Sequence, residues 1–201
     1  MNNWFTSDWH LGHEKLILQG RGFSSIEEHD QYILDNVFSY TKPGDNLYLL
    51  GDIFWKYSSH AVAQLMGSFK KHKLRIFWIF GNHDKKSWVN FKVVQWAGQI
   101  KDITIDKQPL TLSHYPMLVY NRSHYGGINL FGHIHHGDNT RKAMDDNPKI
   151  EGILGKALNV NVEFHEYRPI EFEEVLEAVK DKPENFDLIK SGKKYEETLT
   201  I

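Results

Sequence analysis

The chain has 201 residues, 40% apolar and 13% aromatic, enough for a sizeable core and expected to form a single domain over 1–201. Its 24 basic and 26 acidic side chains nearly balance at −2, so no chain-wide basic footprint points to nucleic acid. Cysteine is absent, which excludes disulfides, thiolate catalysis and sulfur-ligated metal, whereas 12 histidines are many for this length. Neither a signal peptide nor an apolar run near 18 residues is evident, so a cytoplasmic protein with no membrane partner is expected.

Trp4-Phe5-Thr6 is a short β-prone run ending at Asp8. Ser25 and Glu28 form a capping-box pattern, and Ile26, Ile33, Val37 and Phe38 supply the apolar face of a helix that ends before Pro43-Gly44. Residues 46–50 form a second strand running into Gly51-Asp52. A short helix from Ser58 or Ser59 through Met66 is expected to stop at Gly67. Residues 74–80 form a third apolar strand, ending at Gly81-Asn82-His83-Asp84. This alternation favours βαβ units and a parallel sheet whose carboxyl ends gather functional loops.

The rhythm then changes. Residues 100–105 and 109–113 read as an antiparallel hairpin that delivers His114, and 128–131 and 157–164 as two further strands. Between those two, the polar stretch 136–156 reads as an excursion over the rim of a site. A surface helix over 171–179 buries Phe172, Val175, Leu176 and Val179, and a charge-rich, loosely held segment follows from about residue 180.

The chemistry lies where strand-like runs end. Asp8 and His10 are two positions apart, so one strand face followed by a turn aims both at one ion. Asp52 offers two oxygens and can bridge two cations, and Asn82 adds a neutral amide oxygen. His133 and His135 repeat the alternate spacing behind Gly132. Alone, each string also reads as turn or cap chemistry. Their joint order, with Ser113-His114 between them, points to a pair of divalent metals and phosphoryl chemistry.

At this point the chain resembles the calcineurin-like metallophosphoesterase superfamily, through Asp8-Trp9-His10, Gly51-Asp52, Gly81-Asn82-His83-Asp84, His114 and Gly132-His133-Ile134-His135. The resemblance spans residue 3 to about 165. The family commonly has Gly before the third-motif His, where this chain has Ser113, a change of loop shape more than of ligand chemistry. It is closer still to the small bacterial and bacteriophage phosphoesterase-like branch. The features shared with that branch are His13, Arg21-Gly22-Phe23, a helix carrying Asn36, His114-Tyr115-Pro116, the run 159–163 and Tyr167-Arg168-Pro169-Ile170.

The resemblance implies an α/β fold, a four-layer α/β/β/α sandwich with two central mixed β-sheets and the ions at one sheet edge. It assigns Asp8, His10 and His135 to a first metal, Asp52 to the bridge, and Asn82, His114 and His133 to a second. Mn²⁺ is the first choice of ion, with Fe, Zn, Ni or a mixed pair as alternatives. His83 would face the scissile phosphate and either stabilise charge or protonate the departing oxygen, while a metal-bridging hydroxide attacks phosphorus.

Asp84 would orient His83 or its loop, with simple capping as the alternative. His13, Arg21 and Arg122 are the candidate substrate-binding residues, each weighed against a supporting or surface role. Trp9, Phe54, Trp55 and Tyr115 would wall the cleft or stack on a base, whereas Trp78, inside a strand, would pack in the core. The expected activity is hydrolysis of a small phosphodiester or phosphomonoester. A nuclease acting on DNA or RNA, and a noncatalytic interaction module retaining the fold, are the alternatives.

Overall fold

Each apolar run of the first half forms a strand, and the amphipathic stretches between them form helices. The computed structural model describes residues 1–90, 92–137, 142 and 154–184. Strands β1 (Asn3–Thr6), β2 (Asn46–Leu49), β3 (Arg75–Ile79) and β4 (Val94–Gly98) alternate with helices α1 (Ile26–Tyr40) and α2 (Ser59–Lys71). They lie parallel in the order β4-β3-β2-β1, and β9 (Ile170–Glu171) adds an antiparallel edge beside β1. The second sheet contains β5 (Ile100–Ile105), β6 (Gln108–Ser113), β7 (Ile128–Phe131) and β8 (Ala157–Asn159) in sequence order. Its first pair is the predicted antiparallel hairpin, and the remaining pairs are parallel. The result is an α/β sandwich of two central mixed sheets flanked by helices.

Alternation along the strands gives the first sheet two apolar faces. Trp4, Leu47, Leu49, Ile76 and Trp78 meet Ile33 and Val37 of α1 and Val62, Met66 and Phe69 of α2. On the opposite face Phe5, Tyr48, Leu50 and Ile79 meet Leu110, Leu112, Ile128 and Leu130 of the second sheet. Phe5, Tyr48 and Phe77 stack across three strands, with centroid separations of 5.0 and 4.7 Å. Helix α3 (Phe172–Val179) contributes Phe172, Val175 and Val179 to this inter-sheet core. Each such side chain contributes about 1.5–3 kcal/mol by leaving water.

Helix starts follow the sequence, with shifts. Ser25 Oγ accepts the Glu28 N–H at 3.1 Å, but Glu28 reaches back to the Ser24 N–H at 2.9 Å, one residue before the expected partner. Ser58 caps α2 by accepting the Ala61 N–H. Gly67 does not end α2, which continues to Lys71. The cost of a helical Gly, about 1 kcal/mol, is outweighed by burying Phe69 two residues later. The last predicted strand is also shorter. It ends at Asn159, and Asn161 caps a tight turn over Val162–Phe164 by accepting the Glu163 N–H. Most of the predicted excursion, at 138–141 and 143–153, and the charge-rich segment at 185–201 lie outside the described residues. Among the described residues no helix is long and apolar enough to cross a membrane.

One buried carboxylate ties the N-terminal strand to the turn before β2. Asp45 accepts the Asn2 N–H at 2.7 Å, the Lys42 N–H at 3.0 Å and the Trp4 Nε1–H at 3.1 Å. Burial pushes its carboxyl up, but these donors outweigh it and hold the group below the usual aspartate range. A depressed native pKa stabilises the fold above the unfolded value, and that stability is lost as pH falls through the native one. Asp45→Ala should therefore destabilise by about 2–3 kcal/mol in urea unfolding near pH 7. The deficit should shrink below pH 4, and one under about 0.5 kcal/mol at neutral pH would contradict this role.

Candidate metal centre

The carboxyl ends of parallel strands from both sheets converge on one rim. Asp8 follows β1, Asp52 follows β2, Asn82 follows β3, His114 follows β6, and His133 and His135 follow β7. The sheets are stitched there by backbone hydrogen bonds: the Ser7 N–H to the Val160 carbonyl at 3.1 Å, and the Val162 N–H to the Ser7 carbonyl at 3.2 Å. The Gly132 N–H donates to the His114 carbonyl at 2.8 Å. The approach is close enough to forbid a side chain at two glycines. A Cβ at Gly132 would stand 2.3 Å from Asp8 Oδ2, and one at Gly81 would stand 2.1 Å from Asp52 Oδ1. Asp8, His10, Asp52 and His133 all take positive φ, between 49° and 70°. Such conformations cost about 1–3 kcal/mol each and persist only where surroundings enforce them.

Two groups of ligand atoms result. Asp8, His10 and His135 form one and Asp52, His114 and His133 the other, and within each the atoms lie within 4.8 Å of one another. Asp52 Oδ2 stands between the groups, 3.7 Å from His10 Nε2 and 3.4 Å from His114 Nε2. Asn82 Oδ1 lies 3.1 Å from His114 Nε2, beside the second group. The His114 Nδ1–H donates to the Leu50 carbonyl at 2.9 Å, which leaves Nε2 facing the rim.

Electrostatics tie these groups together. Burial raises Asp8 to about 6, with His114 and His135 opposing the rise. For Asp52 burial is outweighed by the hydrogen bond and charge of His114, and its pKa falls to about 2. Burial alone would lower His114, but Asp52 and Asp8 raise it to about 9. His10 is driven well below its ordinary value by burial. Both its ring nitrogens are buried without a hydrogen-bond partner, and Nε2 lies 3.8 Å from the carboxylate of Asp8 and 3.7 Å from that of Asp52. A neutral imidazole with orphaned nitrogens between two carboxylates fits a divalent cation by charge and by donor type.

The other predicted residues separate. His83 is 34% exposed, its Nε2 lies 3.8 Å from Asp52 Oδ2, and its ring stands edge-on to Trp55 at 4.4 Å. Asp84 points inward instead. Its carboxylate accepts the N–H groups of Gly81, Asp52 and Ile53 and the Trp78 Nε1–H, so it pins the loop, with burial raising its pKa to about 6. Through these contacts Asp84 holds the loop that carries His83. His13 lines the cleft, its ring tilted against Trp55 with centroids 3.9 Å apart, and its Nδ1 accepts the Leu16 N–H.

The two arginines take other places than substrate binding would need. Arg21 is 1% exposed, and its guanidinium donates to the Asp8 carbonyl at 2.6 Å, the Trp9 carbonyl at 2.8 Å, His29 Nε2 at 2.7 Å and Glu163 at 2.9 Å. It clamps the first motif and has no fork left for a phosphate. Arg122 is exposed beside Gly127, before β7 begins, whereas His133 lies beyond its end. Its backbone thus sits at the end of β7 opposite the ligands. Trp9 and Phe54 are fully buried in the core, not on the cleft wall, as is Trp78. Trp55 and Tyr115 do reach the cleft.

Sequence reasoning missed the part played by Glu163. Its Oε1 accepts from His135 Nδ1–H at 2.7 Å, and its Oε2 accepts the His136 N–H at 2.8 Å. Burial would raise its pKa, but His135 and Arg21 hold it at about 2. Holding the Nδ1 proton turns His135 Nε2 toward Asp8, 3.6 Å away. The only sequence signal was its place in the run 159–163, which carries no ligand spacing.

Relatives agree with this architecture. An uncharacterized protein of Methanocaldococcus jannaschii is 26% identical over 174 residues, 86% of this chain and 88% of the relative. The gene 66 protein of Mycobacterium phage L5 is 34% identical over 86 residues, 41% of this chain and 40% of the relative. A solved protein of unknown function from Aquifex aeolicus superposes with a TM-score of 0.67 at 24% identity, covering 89% of this chain and 99% of that one, a likeness of fold. The calcineurin-like phosphoesterase family model matches residues 1–189, the stretch that carries every ligand named above, and the chain belongs to that family.

Proposed function

We propose that the chain hydrolyses a small phosphate ester with two divalent cations, one held by Asp8, His10 and His135, the other by Asn82, His114 and His133, with Asp52 between them. The observation that carries this reading is His10, whose buried, unpartnered Nε2 lies between the carboxylates of Asp8 and Asp52. Manganese is the first choice, with iron, zinc, nickel or a mixed pair as alternatives, since carboxylate and imidazole donors suit several of these ions. The proposed setting is the cytoplasm. A bound pair lowers the pKa of water toward neutrality and neutralises charge on phosphate oxygens.

The chain's own residues supply the rest. The His83 backbone N–H donates to Asp52 Oδ1 at 2.9 Å, which fixes its main chain against the central carboxylate. Water adds its oxygen to phosphorus and releases one proton to solvent, the P–O bond breaks with its electron pair on the leaving oxygen, and His83 gives that oxygen a proton and regains one from solvent. Asp84 holds the His83 loop through backbone donors, and the Tyr115 hydroxyl donates to Asn82 Oδ1 at 3.3 Å.

Protein stripped of metal should be inactive and regain activity on chromogenic mono- or diesters after reconstitution with Mn²⁺, Ni²⁺, Zn²⁺, Mg²⁺ or Fe²⁺. A preparation verified to hold two ions, yet inactive on both ester classes from neutral to mildly alkaline pH, would contradict the proposal. Asp52→Asn should cost ion occupancy by elemental analysis, whereas His83→Ala should keep both ions. That His83 variant should slow an ester with a poor leaving group far more than one with a good one, because the latter needs less protonation. Equal fractional losses across an ester series limited by chemistry would overturn the proton-donor role. Glu163→Gln should weaken binding of the first ion about 10–100-fold in calorimetry, and an unchanged affinity would remove Glu163 from the positioning of His135.

A further inference from the structure

The first ligand group is aimed through a side chain that the reaction itself does not use. Arg21 donates its Nε–H to Glu163, an Nη1–H to the Trp9 carbonyl and an Nη2–H to the Asp8 carbonyl. Glu163 in turn takes the Nδ1 proton of His135. A guanidinium is a rigid planar fork, so its aim bears on two of the three ligands at once. Asp8 is reached through its backbone and His135 through Glu163. The second group has other supports: His114 rests on the Leu50 carbonyl, and the Tyr115 hydroxyl donates to Asn82.

Helix α1 supplies what aims Arg21. His29, fully buried on α1, places its Nε2 2.7 Å from Nη1 of Arg21. A guanidinium only donates, so Nε2 accepts and the ring proton sits on Nδ1, which donates to Asp30 Oδ1 at 2.8 Å. Burial holds His29 below its ordinary pKa against the pull of Asp30, in keeping with a neutral ring. Asp30 is itself anchored by the Gly12 N–H at 3.3 Å and by the Tyr57 hydroxyl. Tyr57 stands at the wall of an aromatic groove of about 700 Å³ that it shares with His13 and Trp55. Further along α1, Asn36 donates to the Tyr167 carbonyl at 3.0 Å, and the Tyr167 ring lies 5.7 Å from the guanidinium carbon. Phe23 is edge-on to both His29 and Tyr167, at 5.0 and 5.1 Å. His29 and Asn36 lie two turns apart on one helix face, and that face is turned to Arg21.

We infer that His29, with its tautomer set by Asp30, is a positioning residue for the first ion. It takes the second Nη1–H of Arg21, so the fork stays square on the Asp8 carbonyl and Glu163. Without that acceptor a buried N–H is left unsatisfied, and the guanidinium turns to find another. Glu163 and the Asp8 backbone then lose their aim, while His114 and Asn82 keep theirs. The inference rests on the ion assignment of the reading above and adds one claim to it: α1 sets the affinity of the first site and not of the second.

Single-ion backgrounds separate the two sites. Mn²⁺ calorimetry on His133→Ala reads the first site and on His10→Ala the second, with circular dichroism verifying each fold. In the first background His29→Asn, too short to reach Nη1, should weaken Mn²⁺ about tenfold, the lower end of what a ligand's outer partners command. His29→Met, a second variant without an acceptor, should match it. His29→Gln puts an amide oxygen where Nε2 stands and should recover the affinity to within about threefold. In the second background all three changes should stay within about twofold. Lost packing alone would lower unfolding stability without this dependence on site and acceptor. In an Arg21→Met background His29→Asn should add no further loss, because its effect passes through the guanidinium. First-site affinity unchanged by His29→Asn and His29→Met, equal losses at both sites, or a loss that adds in full to that of Arg21→Met would each overturn the inference. A protein inactive on every ester, whose first-site affinity still falls with His29→Asn and recovers with His29→Gln, would sink the hydrolytic reading and keep His29 in its role.

Discussion

Two buried carboxylates, Asp8 and Asp52, set the terms for everything around them. An ionised carboxylate out of water costs several kcal/mol unless charge and hydrogen bonds surround it. Here the compensation comes chiefly from His114 and His135 and from backbone donors. The His133 N–H reaches both oxygens of Asp8 at 3.1 and 3.0 Å, and the His83 N–H reaches Asp52. Those donors come from different strand ends, so the strand ends must meet. That requirement explains the absent side chains at Gly81 and Gly132 and the positive φ values at four ligands. The rim is strained because the carboxylates demand it, and the two-sided packing of Phe5, Tyr48 and Leu50 supplies the rigidity that holds it.

The surrounding shell turns that rim into oriented chemistry. Arg21 ties two backbone carbonyls of the first motif to Glu163, and Glu163 sets the tautomer of His135. Behind Arg21, His29 accepts from the guanidinium and donates to Asp30, which also holds Tyr57 at the groove wall. One hydrogen-bonded chain thus runs from a ligand of the first group to the aromatic groove. Asp84 performs the equivalent task for the loop of His83.

Much of this was legible in the chain. Apolar runs ending in Asp, Asn or His located the strands and the ligands together, because a ligand at a parallel strand's carboxyl end needs a buried strand before it. The pairing of two sheets was not legible from periodicity, since a strand buried on both faces reads the same whatever covers it. It came from resemblance. Gly67 misled because local propensity is weak against the burial of Phe69. Arg21 and Arg122 misled because a guanidinium's donors can serve carbonyls or solvent as readily as phosphate, and only tertiary contacts tell which. Trp9 and Phe54, near ligands in sequence, misled because the core claims them: the Trp9 Nε1–H donates to Thr6 Oγ1 at 2.8 Å, and Phe54 packs on Trp78 and Trp88. Glu163 was invisible because its partners lie 28 and 142 residues away in the chain.

Anomalous diffraction from crystals of the Mn²⁺-loaded protein tests the central claim most directly. The account predicts two peaks per chain, one among Asp8, His10 and His135 and one among Asn82, His114 and His133, with Asp52 in contact with both. A single peak, or two peaks that Asp52 does not join, would contradict it.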